Sequence, residues 1–203
     1  MALNLFGVTV NDAHTAQVTV ADIETIAVRD LAAICGRTEY REAELDDATI
    51  TRLSDVVAAF SARGPILPAP AGVVFRSPDS VERWLELHYS ALTEALTFVE
   101  NRVAARVHIS RAVTHDPQVA GVDLDAVAAD SLRALRRSAV ATLPLRTERA
   151  AGAILSAAFL VEQELWKQFA GEVDAQATLA GGVHFELPGP WPPYDFVQMQ
   201  LGA

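Results

Sequence analysis

The second half of the chain alternates between two kinds of hydrophobic spacing, and this alternation restricts the fold more than any other feature of the sequence. The segment RVAARVHIS places apolar residues two positions apart from Val103 to Ile109, which is typical of a strand with one buried face. After the predicted loop THDPQVAG, apolar residues recur at helical spacing over 124–135, form the continuous run GAILSAAFLV, recur at helical spacing over 161–173, and end in VHFEL. This order predicts β-α-β-α-β, which is close to a ferredoxin-like arrangement.

The first half of the chain also mixes strand and helix patterns. The segment LNLFGVTV predicts a first strand, and residues 25–28 and 31–35 predict two more strands around a turn. A helix is predicted after the acidic pair Asp46-Asp47, because negative charge stabilises a helix N-terminus. The segment PILPAPAGVVF then predicts one short apolar strand among prolines.

The triplet Ser77-Pro78-Asp79 supplies a cap, a proline at the first helical position and a favourable charge. The apolar stripe that follows predicts one long helix up to Val99, with His88 on its buried side as a hydrogen-bonded core histidine.

From the patterns in both halves of the chain we predict an α+β protein made of two small α+β domains. Residues 1–100 form the first and end in the long helix, and residues 101–203 form a ferredoxin-like domain with a tail extension.

The tail contains GPWPPYDF, in which prolines and aromatic residues crowd together near the end of the chain. Proline locks φ and lacks an N–H, so this segment is not expected to extend a central sheet. Its stiff backbone lowers the entropy lost on docking. The rings of Trp191, Tyr194 and Phe196 can then latch the C-terminus onto the protein or anchor a partner, since Trp and Tyr dominate interface hot spots. Both roles can hold for different faces of the segment.

Charge and hydropathy exclude several classes of function. The chain carries 16 Lys+Arg against 26 Asp+Glu, a net charge of −10, which disfavours binding to nucleic acid or anionic lipid. The nearly apolar run at residues 150–161 is shorter than the roughly 20 residues that a membrane-spanning helix needs. The N-terminus lacks the basic region of a secretory signal, so we expect a cytoplasmic protein. The single cysteine, Cys35, excludes an internal disulfide and is expected to be a small buried hydrophobic residue.

The sequence offers little support for catalysis. The five histidines show no metal-ligand spacing, and no nucleophile elbow, dinucleotide-binding or P-loop motif is present. We therefore predict no metal, no cofactor and no enzymatic activity. The alternative hypothesis is a small α+β enzyme or ligand-binding domain that uses His184, Glu186 and His108, because the first two share one strand face.

Three stretches together resemble the gas vesicle accessory proteins of the GvpF/GvpL family, as a compact member. They are ILPAPAGVVFRSPDSVERWL (66–85), AAFLVEQE (157–164) and HFELPGPWPPYDF (184–196). The resemblance implies two α+β parts and a non-enzymatic role in building gas-filled protein shells in the cytoplasm.

The partners that the resemblance implies are the small hydrophobic shell protein (GvpA-like) and other gas vesicle accessory proteins. An apolar subunit needs a soluble partner to mask it before it polymerises, because large exposed apolar patches aggregate. The predicted partner-binding residues are Trp191, Tyr194 and Phe196 in the tail, with Pro68 and Phe75 in the proline-rich strand segment.

Overall fold

The structure is a computed structural model that describes residues 2–40, 46–112, 123–146 and 152–197. These residues divide into two compact units, one from the described residues of 2–101 with 192–197 and the other from the described residues of 102–191. The sequence predicts the whole tail in the C-terminal domain, whereas the structure groups tail residues 192–197 with the first unit. That residues 1–100 and 101–203 are two separate domains stays a prediction. The predicted loop THDPQVAG lies outside the described residues.

The described residues of the first unit form an antiparallel sheet and three α-helices. The elements are β1 (Ala2–Val10), β2 (Ile23–Val28), β3 (Leu31–Thr38), α1 (Asp47–Ser61), β4 (Ile66–Pro68), β5 (Val74–Phe75), α2 (Pro78–Leu87) and α3 (Tyr89–Val99). The sheet order is β2-β3-β1-β4, and β5 pairs with β1 beyond the end of β4. PILPAPAGVVF therefore forms two strands instead of the one predicted. A turn that contains Pro70 and Gly72 separates them, and Gly72 has a φ of 85°, which glycine adopts without strain.

Helices cover both faces of this sheet. On one face, α1 packs Val56, Val57 and Phe60 against Phe6 and Ile34. On the other face, α2 and α3 pack against the apolar side chains of β1, β3 and β4. The predicted helix starts are confirmed, since the Thr49 N–H donates to Asp46 and the Ser80 N–H donates to Ser77.

The predicted long helix is wrong, because the chain bends at His88 and forms two helices. His88 has φ −104° and ψ 11°, outside the helical region. The bend lets α2 pack on β2, β3 and β5 while α3 packs on β4 and β1. It also places Tyr89 so that its hydroxyl donates to the Asp30 carboxylate in the β2–β3 turn. His88 itself is half-buried beside the ring of Trp84. An apolar stripe shows which side of a helix is buried, but it does not show where the helix changes direction.

Cys35 lies fully buried in β3. Burial raises the pKa of its thiol to about 12, so about one molecule in ten thousand is thiolate at pH 8. We expect Ellman's reagent to leave the folded protein unlabelled at pH 8 and to label one thiol per chain in denaturant, because the thiolate is the reactive form. Labelling of the folded protein at the rate of a small thiol would contradict this burial.

The described residues of the second unit form a four-stranded antiparallel sheet with two α-helices. The elements are β6 (Arg102–Arg111), α4 (Leu124–Arg136), β7 (Ala141–Pro144), β8 (Ala153–Glu162), α5 (Trp166–Leu179) and β9 (Val183–Glu186). The sheet order is β7-β8-β6-β9.

Strand β7 was not predicted, because it is short, partly exposed and ends in Pro144. With it, the order becomes β-α-β-β-α-β, which is compatible with a ferredoxin-like arrangement. The sequence predicts Val161 both at the end of the strand GAILSAAFLV and at the start of the last helix, and in the structure it lies in β8. Side chains from the sheet and both helices form one core, in which the rings of Phe159 and Phe169 lie 5.2 Å apart. In the described ranges of either unit, none of the helices combines the length and apolar character that crossing a bilayer requires.

Candidate partner-binding site

The tail runs along the edge of β6 after β9 ends. Strand β9 pairs with β6 only at residues 108–111. Beyond that point the Arg106 N–H donates to the Pro188 carbonyl over 3.1 Å, and Ala104 and Trp191 exchange two backbone hydrogen bonds of 2.8 and 2.9 Å. The tail thus satisfies backbone groups of a strand edge that β9 does not reach. Because the prolines lack N–H groups, the tail forms no continuous strand here, and its pairing with β6 consists of the Ala104–Trp191 bridge and the hydrogen bond to Pro188.

Gly189 allows this close approach. Its φ is 134°, a conformation that side chains with a Cβ rarely adopt. A Cβ at this position would lie 3.2 Å from the Ala104 carbonyl oxygen and 3.3 Å from the Ala105 Cα. The main chain of the tail therefore holds this segment on the sheet, and the attachment does not require the aromatic rings.

Trp191 keeps much of its side chain accessible. The residue is 41% exposed, and the guanidinium carbon of Arg106 lies 5.9 Å from its ring centroid, within range of a cation–π contact. The backbone of this residue latches the tail, while the ring presents apolar surface on a fixed main chain. Its role as a partner anchor stays a prediction. The alternation in the sequence of β6 predicts that Arg106 and Arg102 lie on the same face of the strand. The sequence alone does not reveal that the Arg106 side chain contacts the tail.

The other two tail rings belong to the first unit. Tyr194 and Phe196 lie in a short 3-10 turn after the buried Pro193. Tyr194 is 37% exposed. Burial raises the pKa of Tyr194, and a hydrogen bond with the Ser54 side chain of α1 acts in the opposite direction. Phe196 is half-buried. In this unit, Tyr194 therefore offers the more accessible ring of the two.

The two predicted residues outside the tail are less accessible. Pro68 is buried in β4 opposite Gly7, so it does not belong to a surface that a partner could contact directly. Phe75 is half-buried, with its ring 5.6 Å from that of Trp84, and it packs against the core of the first unit. Two of the predicted residues thus remain as accessible candidates, and each is taken by itself: Trp191 in the second unit and Tyr194 in the first.

The alternative site of three polar residues lies on the sheet face of the second unit opposite its core. His108 is a cross-strand neighbour of both Glu186 and Ser156. Its Nδ1 lies 2.8 Å from the Ser156 Oγ, a partner that the sequence alone does not identify. The Glu186 Oε1 instead lies 3.7 Å from the His184 Nε2.

A Ser–His hydrogen bond could move a proton, but the two other residues of the predicted site lie on open surface, whereas ligand sites usually enclose their ligand. The side chains of His184 and Glu186 are 62% and 64% exposed. Cavities of about 760 Å³ in the first unit and about 270 Å³ in the second are lined by other residues. Within the part of the chain that the structure describes, no group of three or more His, Cys, Asp or Glu is arranged to hold a metal ion.

Comparisons with known proteins identify relatives of the chain. The model of the family "Gas vesicle synthesis protein GvpL/GvpF" matches residues 3–121 and 118–198. Gas vesicle protein F2 of Halobacterium salinarum is 26% identical over 184 residues, covering 88% of this chain and 82% of that protein. The crystal structure of GvpF from Anabaena sp. has a TM-score of 0.81 at 14% identity, covering 98% of this chain and 97% of that one. GvpF from Microcystis aeruginosa has a TM-score of 0.75 at 14% identity, covering 98% and 99%. The two structures share the α+β fold of this chain.

Proposed function

Because the chain belongs to the gas vesicle synthesis protein GvpL/GvpF family, we propose that its part in gas vesicle assembly is to bind the hydrophobic shell protein and other vesicle accessory proteins. The resemblance seen in the three sequence stretches is confirmed by the match to the family model, which spans most of the chain. Family membership implies association with gas vesicles. We place the binding step in the cytoplasm, before the shell protein polymerises, and we assign no enzymatic activity to the chain.

The observation that carries this proposal is the exposed ring of Trp191 on a backbone that two hydrogen bonds hold to β6. A large aromatic ring contributes strongly to binding when a partner covers it, and little entropy is lost if its main chain is already ordered. The Arg106 guanidinium lies against this ring, 5.9 Å from its centroid. Trp and Arg are both enriched at interface hot spots.

The net charge of the chain supports a carrier role. At −10, mutual repulsion keeps copies of the protein apart in solution. A complex with an apolar subunit would inherit this charge and stay soluble.

The proposal predicts that the purified protein suppresses aggregation of purified shell protein. Mixing the two in equimolar amounts should lower light scattering and give a co-eluting complex on size-exclusion chromatography, because the partner's apolar surface becomes covered. Serum albumin at the same concentration controls for nonspecific protection. Unchanged scattering together with separate elution would remove the basis of the proposal for the shell protein. Repeating the elution experiment with each accessory protein tests the second group of partners.

A further inference from the structure

Strand β2 (Ile23–Val28) lies at one end of the sheet of the first unit. On its inner side it pairs with β3 along all six residues, in a regular register without a bulge. On its outer side no strand of the described residues pairs with it. An edge without a partner presents a row of backbone N–H and C=O groups that can pair with another chain.

The hydrogen bonds at the start of β2 show which of its backbone groups face outward. In an antiparallel pair, residues that exchange hydrogen bonds alternate with residues whose backbone groups point to the other side. The Ile23 N–H donates to the Val20 carbonyl over 3.3 Å instead of to β3, so Thr25 and Ala27 also turn their backbone groups away from β3. Both residues are exposed, and within the described ranges no other backbone group bonds to them on this side. An added antiparallel strand can exchange two hydrogen bonds with each of them.

The other edge strands carry protection that β2 lacks. Proteins protect sheet edges with short strands, prolines, lysines or bulges. Strand β4 has three residues and ends in Pro68, β7 has four and ends in Pro144, and β9 has four. Strand β2 has six residues without proline or lysine, and its one charged side chain, Glu24, forms an ion pair of 3.5 Å with Arg37. Among these edges, β2 is therefore the most open to a further strand.

The two faces of β2 differ in polarity. Ile26 and Val28 are half-buried and pack against the core under α2 and α3. Thr25 and Ala27 lie on the opposite face and are exposed. An added strand would extend both faces, because side chains alternate along a strand. It should therefore place apolar side chains beside Ile26 and Val28 and polar ones beside Thr25 and Ala27.

The charge of the first unit favours a basic occupant. Residues 1–101 contain seven arginines and no lysine, against fifteen Asp and Glu. Helix α2 packs beside β2 and exposes three acidic side chains and one basic one, which are Asp79, Glu82, Glu86 and Arg83. Like charge disfavours pairing of this edge with a second copy of the chain, whereas opposite charge attracts a basic segment.

We propose that the outer edge of β2 binds an extended, basic segment of a partner protein as an added antiparallel strand. In the complex, the segment exchanges backbone hydrogen bonds with Thr25 and Ala27, and its apolar side chains lie beside Ile26 and Val28. Its Lys and Arg side chains offset the acidic charge of the unit. In this mode, the main chain supplies affinity and alternate side chains supply specificity. The proposal involves neither of the exposed tail rings and does not depend on the identity of the vesicle partner.

The test is amide hydrogen exchange followed by NMR, with the capped peptide Lys-Val-Thr-Val-Lys-Val-Thr-Lys as the probe. In the free protein the amides of Thr25 and Ala27 should exchange rapidly, while those of Ile26 and Val28 are protected by β3. Saturating peptide should slow exchange at Thr25 and Ala27 by about tenfold or more. Unchanged exchange at these two amides would overturn the proposal. Protection already present in the free protein would also overturn it, because another segment or a second copy would then cover the edge.

The role of charge is tested on the wild-type protein. The same peptide with glutamate in place of each lysine keeps the backbone and the valines, and it should bind about tenfold more weakly or not at all. Equal binding of the two peptides would refute a basic occupant. This comparison needs no variant protein.

Two variants test the role of the main chain. Thr25→Pro removes one outward N–H at an edge position where proline is tolerated, and it should bind the lysine peptide about tenfold more weakly. Thr25→Val is the matched control, since it changes the same side chain but keeps the N–H, and it should bind as the wild type does. Equal affinity of the two variants would show that the backbone of β2 takes no part in binding and would refute the assignment.

Discussion

Replacing Trp191 with alanine is expected to weaken binding of the shell protein by about thirtyfold or more, equivalent to at least about 2 kcal/mol at an interface hot spot. The ring is 41% exposed on a main chain that hydrogen bonds hold to Ala104. A partner would therefore cover an ordered aromatic surface, and truncation would remove that surface without releasing the tail. Binding is measured by titration calorimetry with solubilised shell protein.

The change in stability caused by Trp191→Ala distinguishes the two roles predicted for this ring, which are latching the C-terminus onto the protein and anchoring a partner. Because much of the ring already contacts solvent, we expect Trp191→Ala to lower the free energy of unfolding by about 1 kcal/mol. A core ring would lose about 3–5 kcal/mol, so a loss of that size with unchanged affinity would assign Trp191 to the core and not to the interface. Leu179→Ala is the matched control, since this side chain is 78% exposed at the end of α5 and should change neither quantity.

Replacing Gly189 with alanine is expected to destabilise the second unit by about 1–3 kcal/mol through backbone strain. The position has a φ of 134°, and the added Cβ would lie 3.2 Å from the Ala104 carbonyl oxygen. The chain can relieve both problems only by moving the tail away from β6, which breaks the bridge at Trp191. Urea denaturation gives the change in the free energy of unfolding.

Hydrogen exchange locates the effect of Gly189→Ala. The amides of Ala104 and Arg106 donate to the tail, so they should exchange faster in the variant, while amides that pair β6 with β8 keep their protection. Gly181→Ala is the matched control, because a Cβ there meets no atom within 4 Å. Unchanged stability and exchange in Gly189→Ala would mean that the tail is not held by its close approach to β6.

Hydrophobic spacing predicted most strands and helices, because the spacing that marks each of these elements is set by residues close together in the chain. The alternation in β6, the helix start after Asp46 and the cap at Ser77 all appear in the structure as predicted. The bend at His88 was missed because the hydrogen bond that accompanies it joins Tyr89 to Asp30, which is distant in sequence. Strand β7 was missed because four residues that include a proline give too short a pattern.

The sequence by itself determined the α+β class, the stiffness of the tail and the family, since these follow from local spacing, from the fixed φ of proline and from motifs within single segments. Only the tertiary structure decided which rings stay accessible. It showed Trp191 exposed beside Arg106 and Pro68 buried opposite Gly7. Burial and hydrogen bonding at these positions are set by pairing between strands far apart in the chain, and such pairing leaves no local pattern in the sequence.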